Sequence, residues 1–201
     1  MAHYNAAASS NALADPYMTL AHFPGRDPFR MAAWRAPRGM RGWLTDDRSL
    51  TARIRSRCGR FALQVVSQGK GVVLPDEMAA LGIHRHGNLW RREVLLIADG
   101  EAVVFARSLV AATTIPAAWH LLHGLGGRPL AAVLFDDPRV RRSPLEAARL
   151  DARDPRWHHA ASATCNMDLP PLWARRSAFR RDGAPLLVTE VFLPAIRNLA
   201  P

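Results

Sequence analysis

Lysine is nearly missing from this chain. Of its 27 basic residues only Lys70 is a lysine; the others are arginines, which against 17 acidic residues leave a formal net charge of +10. Arginine is a planar, permanently charged fork that matches carboxylates and phosphates, whereas lysine is a hydrated point charge. The excess therefore points to anionic partners, although a compositional bias toward arginine and alanine would produce it as well. Cysteine is scarce too: Cys58 and Cys165 supply neither a disulfide framework nor a CxxC metal spacing, and reduced thiols fit best. Aromatic residues are 7% of the chain, with no helix-turn-helix or RNA-binding pattern beside them. Nucleic-acid binding would then rest on arginine stripes alone, Arg53, Arg55, Arg57 and Arg60 or Arg139, Arg141 and Arg142. No apolar run approaches the ~20 residues of a membrane helix. The first twenty residues lack the basic-then-apolar order of a secretory signal. P-loop, GxGxxG and repeat patterns are missing, and Ser108 has no G-x-S-x-G context. The expectation is a soluble, cytoplasmic protein.

What is present suffices for one core. The chain has 201 residues, 49% of them hydrophobic and 22% charged, which suits a single ordinary domain. Residues 1–40 are rich in Ala, Ser, Asn, Pro and Arg without periodicity, and are expected to form a loosely ordered N-terminal extension to a domain over 41–197. Ser49 is placed to cap a helix carrying Leu50, Ile54 and Cys58 inward, with Gly59 as its stop and Arg53, Arg55 and Arg57 toward water. Phe61, Leu63 and Val65 alternate as in a half-buried strand, broken by Gly69 and Gly71, and Pro75 opens a short helix. Two hairpins follow from Asp-Gly turns: Trp90 to Ile97 with Ala102 to Val110 around Asp99-Gly100, and Trp173 to Arg180 with Leu186 to Leu193 around Asp182-Gly183. Between them the pattern predicts a helix from Pro116 through Trp119, Leu122 and Leu125, another over 143–150, and a surface loop over 151–171. Helices interspersed with tight hairpins imply an α+β domain with a mainly antiparallel sheet.

Two side chains stand out against their strands. Glu190 is the one carboxylate in the apolar run 186–193 and shares a face with Val188 and Phe192. A buried carboxylate must be paired or neutral, which makes it a candidate general acid or base; the plain alternative is a solvent-facing or structurally paired glutamate. Arg92 shares its face with Val94 and Leu96, and an inward arginine is ready to grip a carboxylate through two parallel hydrogen bonds. Arg107 is a second arginine in an apolar strand. The histidines His84 and His86, His120 and His123, and His158 and His159 form no complete ligand spacing, and packed or exposed roles are favoured over a metal site.

The segments 90–100, 105–110, 127–130, 173–177 and 185–194, taken in order, resemble the chorismate lyase (chorismate–pyruvate lyase) family of bacterial ubiquinone biosynthesis. The resemblance spans about residues 43–196. It implies a roughly six-stranded antiparallel sheet flanked by helices, and elimination of pyruvate from chorismate to give 4-hydroxybenzoate without metal or organic cofactor. It further implies that Arg92 binds the ring carboxylate, that the backbone amides of Leu50 and Leu130 assist, and that Glu190 meets the 4-hydroxyl end. Helical flaps would cover an aromatic product that leaves slowly from a monomer with no nucleic-acid partner. On this reading Arg107 is assigned to the enolpyruvyl carboxylate. The alternatives are a non-catalytic small-anion sensor of the same fold and an arginine-rich nucleic-acid binder.

Overall fold

A computed structural model describes residues 27–83, 88–122 and 124–199 of the protein. The elements run α1 (Arg38–Thr45), α2 (Leu50–Arg55), β1 (Phe61–Lys70), α3 (Pro75–Leu81), β2 (Leu89–Ala98), β3 (Glu101–Ala111), α4 (Ala131–Phe135), β4 (Arg141–Arg142), β5 (Glu146–Leu150), α5 (Pro155–Ala163), β6 (Leu172–Arg181) and β7 (Ala184–Phe192). The strands make one antiparallel sheet in the order β1-β2-β3-β7-β6-β4, with β5 also paired to β6. This is the expected α+β architecture, with seven strands where about six were anticipated.

Local chemistry accounts for the elements that were predicted. Both residues of each hairpin turn have positive φ, Asp99 at 50° with Gly100 at 89° and Asp182 at 50° with Gly183 at 80°, the geometry of a two-residue connection that follows strand twist. Ser49 caps α2 by accepting from the Ala52 amide at 3.2 Å. Glu77 caps α3 by accepting from the Leu74 amide at 2.9 Å, one turn back.

The two sheet faces are organised alike, each with a charged band between apolar clusters. On the front face one cluster joins Trp43, Leu44, Leu50 and Ile54 to Val94, Leu96 and Phe192; the other joins Trp119, Leu122 and Leu134 to Phe179 and Leu186. On the reverse face α5 packs Trp157, Ala160 and Ala161 against Leu95, Phe105 and Val191, and α3 packs Leu81 against Leu109 and Leu187. Between those reverse clusters the register lines up Ser67, Glu93, Arg107, Thr189, Arg176 and Glu146 across six strands.

Several expectations are corrected. Residues 27–40 belong to the folded body: Phe29 is 2% exposed, Met40 is buried in the front cluster, and Met31 bridges Ala147. The segment from Pro116 forms turns and a short 3-10 stretch instead of an α-helix. Its apolar residues Trp119, Leu122 and Leu125 recur every three positions, the period of a 3-10 path. Residues 146–150 are a strand, because pairing with β6 outweighs the helix preference of Ala147 and Ala148. The loop placed over 151–171 contains α5, whose start was spelled in the chain: Asp154 caps it by accepting from the Arg156 amide at 2.9 Å, and Pro155 takes the first helical position. Arg53 does not face water but stacks over Trp43 at 4.1 Å from the ring centre. His84, His86 and His123 lie outside the described residues.

Candidate active site

A cavity of about 50 Å³ opens between the front face of the sheet and the segments covering it, and Leu50, Arg92, Leu130 and Glu190 all line it. The strand register explains why. Arg92, Ser108 and Val188 stand in one cross-strand row, and Val94, Ala106, Glu190 and Arg175 in the next. Two strand spacings of ~4.8 Å and one row step of ~7 Å put the Cα atoms of Arg92 and Glu190 ~12 Å apart, with both side chains on the same face.

Arg92 is 2% exposed, and among the described residues it makes no ion pair. One amino group donates to the carbonyls of Gly126 at 2.8 Å and Arg128 at 3.2 Å, while its Nε has no partner. Burial pushes its pKa down with no carboxylate to offset it. A guanidinium held this way lacks its counter-ion, and an incoming carboxylate would supply one.

At the other end the Glu190 carboxylate accepts from Arg175 Nε at 2.5 Å. Arg175 is also spent on two carbonyls, donating through Nη1 to Trp43 at 2.9 Å and Asp46 at 2.6 Å. Arg142 lines the same end; its Nε donates to Ser177 Oγ at 2.8 Å, and it donates to the Asp47 carbonyl. Burial lowers the Arg142 pKa against the opposing pull of Glu190. Sequence reasoning missed Arg175 and assigned Arg142 only to a possible phosphate stripe. The signal for Arg175 was parity, since it shares a face with Trp173 and Phe179 as Arg92 does with Val94.

Arg107 is corrected. It lies on the reverse face, 3% exposed, and is saturated: it donates to Glu77 at 2.8 and 3.1 Å, to Glu93 at 2.6 Å and to the Val72 carbonyl at 2.6 Å. Its pKa is raised, because these two carboxylates outweigh the opposing effect of burial. The cause is a bulge. Extending the pairing of Ala98 with Glu101 and of Ile97 with Ala102 down an unbroken hairpin would set Arg92 opposite Arg107. The register slips by one residue between Ile97–Ala102 and Leu96–Val104, so Arg92 meets Ser108 and Arg107 is turned to the far side.

The three described histidines do not gather. His120 Nδ1 bonds the Ala117 carbonyl at 3.0 Å, His158 Nε2 the Ala152 carbonyl at 2.7 Å, and His159 Nδ1 lies 3.1 Å from Glu93. Among the described residues no cluster of three metal-ligating side chains occurs, and no helix is long and apolar enough to cross a membrane.

Fold and site together define an α+β domain whose antiparallel sheet carries a small cavity lined by arginines and one glutamate. The chorismate lyase family model matches residues 32–199, and the chain belongs to that family, a family of carbon–oxygen lyases. It is 54% identical over 166 residues to the "Probable chorismate pyruvate-lyase" of Aromatoleum aromaticum strain EbN1, covering 82% of this chain and 90% of that one. To the protein of the same name from Azoarcus sp. strain BH72 it is 53% identical over 167 residues, covering 82% and 88%. Among solved structures, the effector domain of PhnF from Mycobacterium smegmatis matches with a TM-score of 0.51 at 16% identity, over 73% of this chain and 88% of that one, a likeness of fold.

Proposed function

We propose that this chain eliminates pyruvate from chorismate to give 4-hydroxybenzoate, the step that opens bacterial ubiquinone synthesis. The observation that carries this reading is the buried, counter-ion-free guanidinium of Arg92 lining one small cavity with Glu190. Chorismate is a ring carboxylate with a hydroxyl at the far pole and an enolpyruvyl ether beside it. Arg92 holds the ring carboxylate, with the amides of Leu50 and Leu130 assisting; these open α2 and precede α4, where helices leave amides without internal partners. Glu190 orients the hydroxyl and handles the proton.

The step balances without a redox change. The ether C–O bond breaks, the proton on the hydroxyl-bearing ring carbon is lost, and the ring becomes aromatic. The departing enolate takes up a proton on carbon to become pyruvate. Aromatisation supplies much of the driving force, which leaves the protein to hold the diene in place and offset the charge developing on the enolate. A cavity of about 50 Å³ lies well below the roughly 300 Å³ at the small end of ligand pockets. Entry therefore requires the walls at Leu50 and over 129–135 to part, and their return would retain the product.

The test is to mix purified protein with chorismate and follow pyruvate and 4-hydroxybenzoate together. Equal appearance of both is the expected result. Prephenate or salicylate instead would assign a different reaction, and binding without turnover would make the chain an anion sensor.

A further inference from the structure

We infer that Arg142 receives the second carboxylate of the substrate, the one on the enolpyruvyl arm, at the Glu190 end of the cavity. The inference rests on the proposed reaction and names the group that makes the cavity suit a dianion. Three guanidinium groups, from Arg92, Arg142 and Arg175, line the cavity against one carboxylate, Glu190. With all four ionised the balance is two positive charges, the complement of a dicarboxylate; a monocarboxylate such as 4-hydroxybenzoate would leave one unanswered.

The three arginines are not equally available. Arg92 is committed to the opposite pole. Arg175 already donates to Glu190 and to two backbone carbonyls. Arg142 makes no ion pair with any described residue. Its Nε is held by Ser177 and one amino group by the Asp47 carbonyl, which fixes the fork while its Nη2 makes no hydrogen bond to a described residue. The guanidinium carbon lies 5.0 Å from the Phe179 ring centre and 5.6 Å from that of Phe135, so two aromatic walls keep its charge partly out of water. Ser177 Oγ, Arg142 Nε and the β4–β6 pairing of Arg142 with Phe179 make this a preset position. Arg142, like Arg92, is desolvated without an ion-pair partner, although here the charges of Glu190, Asp47 and Asp46 oppose part of the burial effect.

Two ligands that differ in this carboxylate make the test. Arg142→Met removes the charge and keeps most of the chain length; Arg142→Lys keeps the charge without the fork. The KM and kcat for chorismate and the affinity for 4-hydroxybenzoate are measured for both variants and wild type. In Arg142→Met the expected loss in kcat/KM is about 10²-fold, carried mainly by KM. Its affinity for 4-hydroxybenzoate stays within about twofold of wild type, which also reports an intact cavity, and Arg142→Lys recovers part of the loss. Unchanged chorismate KM in Arg142→Met overturns the inference. So does an equal weakening toward both ligands in either variant, which would mark a residue that only shapes the cavity. A wild-type protein that fails to convert chorismate removes the reaction itself, a separate outcome from an active wild type with an indifferent Arg142.

Discussion

Arg175 and Glu190 stand directly opposite each other on β6 and β7, and the guanidinium Nε donates to the carboxylate at 2.5 Å. The same arginine reaches the carbonyls of Trp43 and Asp46, so the position of the acid is tied to the end of α1. A carboxylate held at both its strand and its partner has little freedom, which is what the proposed contact with one ring substituent requires.

Glu190→Gln keeps the shape of this end and removes the proposed base. Its turnover of chorismate should fall on the order of 10²-fold or more, with the fold intact. The check is kcat by pyruvate release beside a circular dichroism melt. Turnover near wild type in a folded variant would leave Glu190 an orienting role alone.

Arg92→Met should separate function from stability. Replacing a buried charge without a counter-ion by an apolar chain removes its desolvation cost, which offsets the loss of the donor to the Gly126 and Arg128 carbonyls. The expected outcome is an unchanged or higher Tm without ligand, together with a loss of about 10²-fold in kcat/KM. A Tm lower by several degrees would instead make Arg92 a structural residue.

Gly126 offers a route to Arg92 that leaves the arginine in place. Its carbonyl accepts from Arg92, and its φ of 50° lies in the left-handed region. A Cβ there meets no atom within 4 Å, so Gly126→Ala carries backbone strain without a clash, about 1–2 kcal/mol. Urea unfolding should show that loss, and KM for chorismate should rise while kcat changes little.

The reverse face predicts an acid response. Burial alone would raise the Glu93 carboxyl, but its hydrogen bond with His159 and the charges of Arg107 and Arg91 outweigh that and hold it well below its ordinary 4.5. Below about pH 4.5 the unfolded chain therefore binds the extra proton. Stability from Glu93 is fully present above that pH and is lost as the pH falls further. Asp76, raised by burial, acts in the opposite sense. Urea midpoints from pH 3 to 7 should fall less steeply toward acid in Glu93→Gln than in wild type, and parallel slopes would exclude Glu93 as the source.

Much of the sheet was legible because the signals that make it are local. Asp99-Gly100 and Asp182-Gly183 demand left-handed backbone at two successive positions, and alternation then assigns each side chain a face. That set Arg92 on one face with Val94 and Glu190 on one face with Val188, and left open whether those faces look inward. The misread segments failed for two reasons, a local preference overruled by pairing and a local signal overlooked. Ala147 and Ala148 favour a helix in isolation and were taken by β6, and Trp157, Ala160 and Ala161 were passed over although Asp154 and Pro155 announce α5.

Composition, turn chemistry and the period of the apolar residues decided the class of fold, the two hairpins and the strand faces that carry Arg92 and Glu190, because each acts over a few neighbouring residues; joining those two in one site came from the family resemblance. Tertiary structure decided which arginines find carboxylate partners and which line the front cavity. Arg107 finds Glu77 thirty residues away, and Arg142 the Asp47 carbonyl ninety-five away. A single slipped residue between β2 and β3 sent one arginine to saturated pairs on the reverse face, leaving the front cavity to Arg92, Arg142 and Arg175. Charge pairing depends on what packs beside a group, and packing brings together segments whose separation along the chain carries no signal.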